Sequence, residues 1–210
     1  MHPTIGEYLS NIEVALRRID QQAVQRVVDI LFDACVSGRR VYTFGNGASA
    51  ALASHMACDL GKGSAPDLGQ GLHDAAATRL RIIALNDNAA LMTAYGNDIS
   101  YDDVYLEQLK NHLEPGDVVL GVSGSGGSPN VLRALEFARG RGAVVIGFTG
   151  RQAPAPRMAA LCDVCLHAPL TMMEQIEDVH VIMHHAISIA LRARVAAWHR
   201  ALEPALAVAD

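Results

Sequence analysis

A doubly wound, five-stranded parallel α/β sheet flanked by helices is expected from three features of this 210-residue chain. Short, largely uncharged β-branched runs alternate with helical segments, as in α/β folds with buried parallel strands. Two of those runs end in glycine-rich turns that lead straight into a helix. Half of the residues are hydrophobic and only 5% aromatic, which suits close helix-on-sheet packing. The length suits one domain with a full core, residues 1–195 with the N-terminal helices included, followed by an Ala-rich tail at 196–210.

The elements follow in order. Ile5, Leu9, Ile12, Leu16 and Ile19 recur in alternating steps of four and three, a narrow apolar seam of the kind that packs on a partner helix. This predicts an oligomerisation helix at the N-terminus. A second helix runs from Gln21 to about Ser37 and stops at Gly38. Arg40 to Phe44, Leu80 to Leu85, Val118 to Val122, Val144 to Phe148 and Val164 to His167 read as strands. The connection from Ala65 to Ala77 has no clear period. The last long helix is expected from about Met172 to Val195.

The strand at Val118 to Val122 runs into Ser123-Gly124-Ser125-Gly126-Gly127-Ser128 and then Pro129. Ser128 suits an N-cap and Pro129 the first helical position, so a helix starts directly after the loop. Glycines admit close backbone approach, and a helix N-terminus attracts an anion such as phosphate. The loop lacks the Lys-Ser/Thr pair of a P-loop, and its glycines do not have dinucleotide-fold spacing. It suits a phosphate monoester held by hydroxyls and amides; a turn without a ligand is the plain alternative. The first strand ends similarly, in Gly45-Asn46-Gly47-Ala48-Ser49. If the first and third strands are adjacent, both loops close on one pocket.

Ionisable side chains gather in two places. His55 and Asp59 stand four apart on the helix after the first strand, a spacing shared by ordinary His–carboxylate contacts and metal sites. Glu174, Glu177, Asp178, His180, His184 and His185 crowd the last helix. Spacing alone favours Glu177, His180 and His184 as one stripe, with His185 turned away by roughly 80°. Cys162-x-x-Cys165 has no second pair, so it and the other cysteines, Cys35 and Cys58, read as buried thiols. A formal net charge of -5 and no basic tract exclude an electrostatic case for nucleic acid or anionic membrane. No apolar stretch reaches membrane-span length and no leader pattern opens the chain, so a cytoplasmic protein is expected.

Four segments in order resemble the SIS (sugar isomerase) family, most closely its phosphoheptose isomerase branch. They are Gly45 to Ala51, Thr93 to Asp98, Ser123 to Asn130, and Glu177-Asp178-Val179-His180 with His185 beyond. The resemblance implies a homotetramer with sites at subunit contacts, and an aldose–ketose isomerase converting sedoheptulose 7-phosphate to a heptose 7-phosphate through an enediol. By position it implies substrate contacts from Asn46, Gly47, Ala48, Ser49, Asp59, Asp87, Asn88, Ser123, Gly124, Ser125, Ser128 and Glu177. His55, Asp59, Glu177 and His185 would hold one zinc ion per subunit, with Asp59 as base and His185 as acid.

This chain departs from the family pattern in several places. Asp59 replaces a usual Glu and Glu177 a usual Gln, so two carboxylates and two neutral imidazoles would leave a bound divalent ion without net charge. Gly124 removes a hydroxyl from the phosphate loop, and Met172 and Met173 lie where polar contacts are common. The alternative is a non-catalytic SIS protein that binds a phosphosugar or a protein partner, as the replication-initiator-associating relatives do. A phosphosugar sensor would need a fused partner domain.

Overall fold

The computed structural model describes residues 3–65, 78–150 and 155–206. Helices α1 (Ile5–Leu16) and α2 (Gln21–Val36) precede β1 (Arg40–Gly45), α3 (Ala48–Gly63), β2 (Arg81–Ala84), α4 (Ala89–Asp98) and α5 (Val104–His112). Then come β3 (Val118–Ser123), α6 (Pro129–Gly140), β4 (Val144–Gly150), α7 (Ala155–Leu161), β5 (Val164–Ala168) and α8 (Met173–Leu206). All five expected strands form. They pair in parallel in the order β2-β1-β3-β4-β5.

Alternating side chains of the buried strands feed two cores. Val41, Val118, Leu120, Val122, Ile146 and Phe148 pack against α2, α3 and α8. Tyr42, Phe44, Val119 and Val145 pack with residues of α5, α6 and α7 on the other face. The chain leaves β1 for the edge strand β2 and returns to β3 on the other side of β1. The switch point expected to carry a ligand therefore lies between β1 and β3, which are neighbours from Val41↔Val118 to Gly45↔Val122.

Helix α1 is opened by a capping box in which Thr4 and Glu7 satisfy each other's backbone N–H groups. It docks on the start of α8, where the Tyr8 hydroxyl donates to Asp178 at 2.6 Å and Gln175 donates to the Tyr8 carbonyl at 3.0 Å. Its apolar seam divides in two. Ile12, Leu16 and Ile19 pack on the core, whereas Ile5 and Leu9 are 83% and 61% exposed.

The last helix is longer than periodicity predicts, because it continues from Val195 to Leu206. Residues 196–203 contain no glycine and three alanines, so nothing in their propensity stops the helix. Most of the connection from 65 to 77, and the last four residues of the expected tail, lie outside the described residues. No helix among those described is long and apolar enough to cross a membrane. The four cysteines are free, but only Cys35 is fully buried; Cys162 and Cys165 are half-buried and Cys58 is exposed.

Candidate active site

The loop after β1 is shaped by two glycines. A Cβ on Gly45 would stand 2.8 Å from Ser49, so only glycine lets α3 begin this close to the strand, and Gly47 adopts a positive φ of 56°. The side chain of Asn46 is used as a brace. Its amide and that of Asn130, at the start of α6, donate to each other at 2.8 and 2.9 Å, and Tyr101 donates to the Asn46 oxygen at 3.0 Å. Tyr105 adds a hydrogen bond to the Gly45 carbonyl. The loops after β1 and β3 are thus tied together, which the β1–β3 adjacency alone does not require.

After β3, the Ser123 hydroxyl lies 3.4 Å from that of Ser125 and 3.2 Å from that of Ser128. Ser128 holds the N-cap position of α6, but its side chain makes no capping bond and joins this hydroxyl cluster instead. Gly126 turns the loop with a φ of 65°, and Gly127 N–H donates to Ser125 at 3.2 Å. Three hydroxyls beside a helix N-terminus can receive the oxygens of a phosphate monoester.

Helix α8 runs from this loop to the ionisable cluster. Met173 and Ile176 abut Gly124, Ile176 also meets Gly150, and one turn on His180 Nε2 stands 3.1 Å from the Thr149 carbonyl at the end of β4. His180 is therefore a core residue packed edge-on against Phe148, with ring centroids 5.7 Å apart, and not a member of a ligand stripe. Burial pushes its imidazole down to about 4. About one turn further, at His184 and His185, α8 meets α3.

There one carboxylate oxygen, Asp59 Oδ2, is surrounded by three imidazole nitrogens. The Nε2 atoms of His55, His184 and His185 lie 3.1, 3.4 and 3.9 Å from it. One donor atom from each of the four residues can be chosen so that all lie within 4.8 Å of one another. Four ligands at zinc–nitrogen distances of 2.0–2.1 Å would stand about 3.4 Å apart at tetrahedral angles. The donor set and its spacing therefore fit a divalent metal. His184 is fully buried, and burial first, then the charge of His55, pushes it down to about 4, so it is a neutral imidazole.

Glu177 is not in this group, and its Cα lies roughly 12 Å along the helix axis from that of His185. It lines a groove of about 210 Å³ with Ala48, Ser49, Leu52 and His55. Burial, then the charges of Glu174 and Asp178, hold its carboxyl above the ordinary range. Asp87 accepts from Ser54 of α3 at 2.5 Å. Asn88 caps α4 through its side-chain oxygen at 3.0 Å from Leu91 N–H, and it lines a separate cavity of about 600 Å³ with Arg40 and His112. His184, Asn130, Tyr101 and Tyr105 were not among the residues assigned to the site from the sequence; of these, His184 carried a signal in its place in the helical stripe, and Asn130 in closing the Ser123 to Asn130 segment.

The fold and the β1–β3 switch define a doubly wound α/β domain with a hydroxyl loop and an imidazole–carboxylate cluster, and residues 7–150 match the SIS domain family. The chain belongs to that family, in its phosphoheptose isomerase branch. It is 36% identical over 165 residues to the phosphoheptose isomerase of Rhodospirillum rubrum, covering 79% of this chain and 82% of that one. It is 34% identical over 183 residues to that of Paramagnetospirillum magneticum, covering 87% and 89%. Among solved structures, the phosphoheptose isomerase of Neisseria gonorrhoeae superimposes with a TM-score of 0.77 at 27% identity, covering 90% of this chain and 94% of that chain.

Proposed function

We propose that this protein is a phosphosugar aldose–ketose isomerase acting on sedoheptulose 7-phosphate, the reading favoured by its phosphoheptose isomerase relatives. The observation that carries it is the pairing of a three-hydroxyl loop with an imidazole–carboxylate cluster along one helix. Ser123, Ser125 and Ser128 receive the phosphate, aided by backbone groups of Gly47, Ala48 and Gly124. Ser49, Asp87 and Glu177 face the sugar. Asn46 contributes through its backbone, because its side chain is committed to Asn130. Asn88 contributes less, being turned to its own helix cap.

Isomerisation moves a proton between adjacent carbons, which needs a base near C1 and C2 and an acid at the oxygens. Asp59 is the base and His185, half-exposed beside it, is the acid. A divalent ion, zinc by its nitrogen and oxygen donors, would supply Lewis-acid polarisation of the substrate oxygens.

Ile5 and Leu9 offer a partnerless apolar strip, which supports assembly into a homotetramer. An exposed free Cys58 and a phosphorylated substrate support work in the reducing cytoplasm.

Incubating the purified protein with sedoheptulose 7-phosphate and other ketose and aldose phosphates, and following aldose–ketose conversion by NMR, tests the proposal. Turnover of the heptulose phosphate is expected; turnover of none of the panel by metal-loaded protein refutes it.

A further inference from the structure

We propose that His184 is a metal ligand, so that the ion is held by three imidazoles and one carboxylate, from His55, Asp59, His184 and His185, with Glu177 left free on the substrate side. Two independent observations carry this. The Nε2 of His184 stands in the same ring of donors about Asp59 Oδ2 as those of His55 and His185. The His184 side chain is also fully buried, and among the described residues neither of its ring nitrogens has a hydrogen-bond partner; the 3.4 Å approach to Asp59 lacks hydrogen-bond geometry. A buried imidazole with two unsatisfied nitrogens is costly to keep, and an ion bound to one of them removes much of that cost.

The packing of the rings agrees. His55 lies over both partners on α8, with centroids 4.9 Å from His184 and 5.1 Å from His185. His184 and His185 are adjacent in sequence and point about 100° apart around the helix, so they reach an ion lying against α8 from its two sides. Glu177 sits about two turns earlier on the same helix.

The exchange changes the charge of the site. With Asp59 and Glu177 as ligands, a divalent ion would be neutralised. With Asp59 and three neutral imidazoles it keeps one positive charge, the quantity on which polarisation of a substrate oxygen depends. His184 thereby offsets the departure at Glu177. The significance of this charge rests on the isomerase reading, but the ligand assignment itself is read out without turnover.

The test uses the wild-type chain and two variants, each stripped and reloaded with zinc or cobalt(II). X-ray absorption of the zinc form should show three imidazoles at about 2.0–2.1 Å. His184→Ala should weaken zinc binding by more than about 100-fold, beyond the upper end of what an outer-shell change costs. Glu177→Gln should keep the wild-type affinity and cobalt absorption spectrum. His184→Leu, which fills the buried space, separates loss of a ligand from loss of folding, with circular dichroism as the check. Two imidazoles in the wild type, or tight binding by His184→Leu with loss in Glu177→Gln, overturns the assignment, as does absence of stoichiometric metal in the wild type. Metal binding as expected with no turnover of any phosphosugar would leave the ligand set standing and refute the isomerase reading alone.

Discussion

The sulfur of Met173 fills the space into which a side chain at Gly124 would grow: a Cβ there would stand 2.4 Å from Sδ. The glycine in the loop and the methionine at the start of α8 are thus sterically matched. Gly124 has no positive φ, so only this contact and Ile176 oppose a side chain.

Gly124→Ser should therefore fold, with a loss near the low end of the ~1–3 kcal/mol typical of overpacking, because the methionine tip can swing aside. Gly150→Ala should lose more, since its Cβ would meet Ile176 at 2.4 Å and the backbone oxygen of Gly124 at 2.8 Å. Denaturant midpoints compare the two; equal losses would show that Met173 is locked in place.

Ser125→Ala and Ser128→Ala should each weaken phosphosugar binding by about 1.5–3 kcal/mol, the worth of a hydrogen bond to a charged oxygen. The fold should persist, because neither hydroxyl caps α6. Calorimetric titration with a sugar phosphate measures the change, and unaltered affinity in both variants would place the phosphate elsewhere.

Leu9→Glu, combined with Ile5→Glu, should split the proposed homotetramer without unfolding the subunit, since both side chains are exposed in the single chain while Ile12 and Leu16 hold α1 to the core. Light scattering reads the outcome. A monomeric wild type would refute the tetramer itself, and an unchanged oligomeric mass in the variant would place the strip outside its contacts.

Acid should destabilise the metal-free protein before most carboxylates titrate. His180 is held neutral by burial, with a folded value of about 4 against an ordinary 6.5, so the unfolded chain binds the extra proton between those values. Its stabilising contribution is complete above about pH 6.5 and is lost as pH falls toward 4, with a limiting slope on the order of 1.4 kcal/mol per unit. His184, shifted in the same direction, adds to it. Urea melts in chelator across that window should show the decline, and His180→Phe should flatten it.

The sheet was legible because the central strands β1, β3 and β4 are apolar runs buried almost throughout and the edge strands β2 and β5 are shorter, partly exposed runs between helical segments, and the paired loops because glycine and serine punctuate the ends of β1 and β3. The site was legible only in part. Helical spacing selected His184 and the family resemblance selected His185; neither anticipates that one carboxylate on α3 faces the gap between adjacent residues on α8, which depends on where two helices cross. The role of Asn46 was hidden for a similar reason, since its partner Asn130 is 84 residues away. Glu177 matched a family position, yet its carboxylate is not among the donors gathered about Asp59. Val195 gave no physical reason to end α8.

Because one uninterrupted helix touches the loop after β3 through Ile176 and the imidazole cluster through His184, it acts as a gauge whose graduations are residues. The span is eight steps of about 1.5 Å. Evolution could alter it only in quantised jumps, as a single insertion would lengthen it by one step and rotate both histidines by about 100° away from Asp59. The spacing of the hydroxyl loop and the imidazole–carboxylate cluster is consequently inherited as one unit, and drift in this segment is confined to substitution.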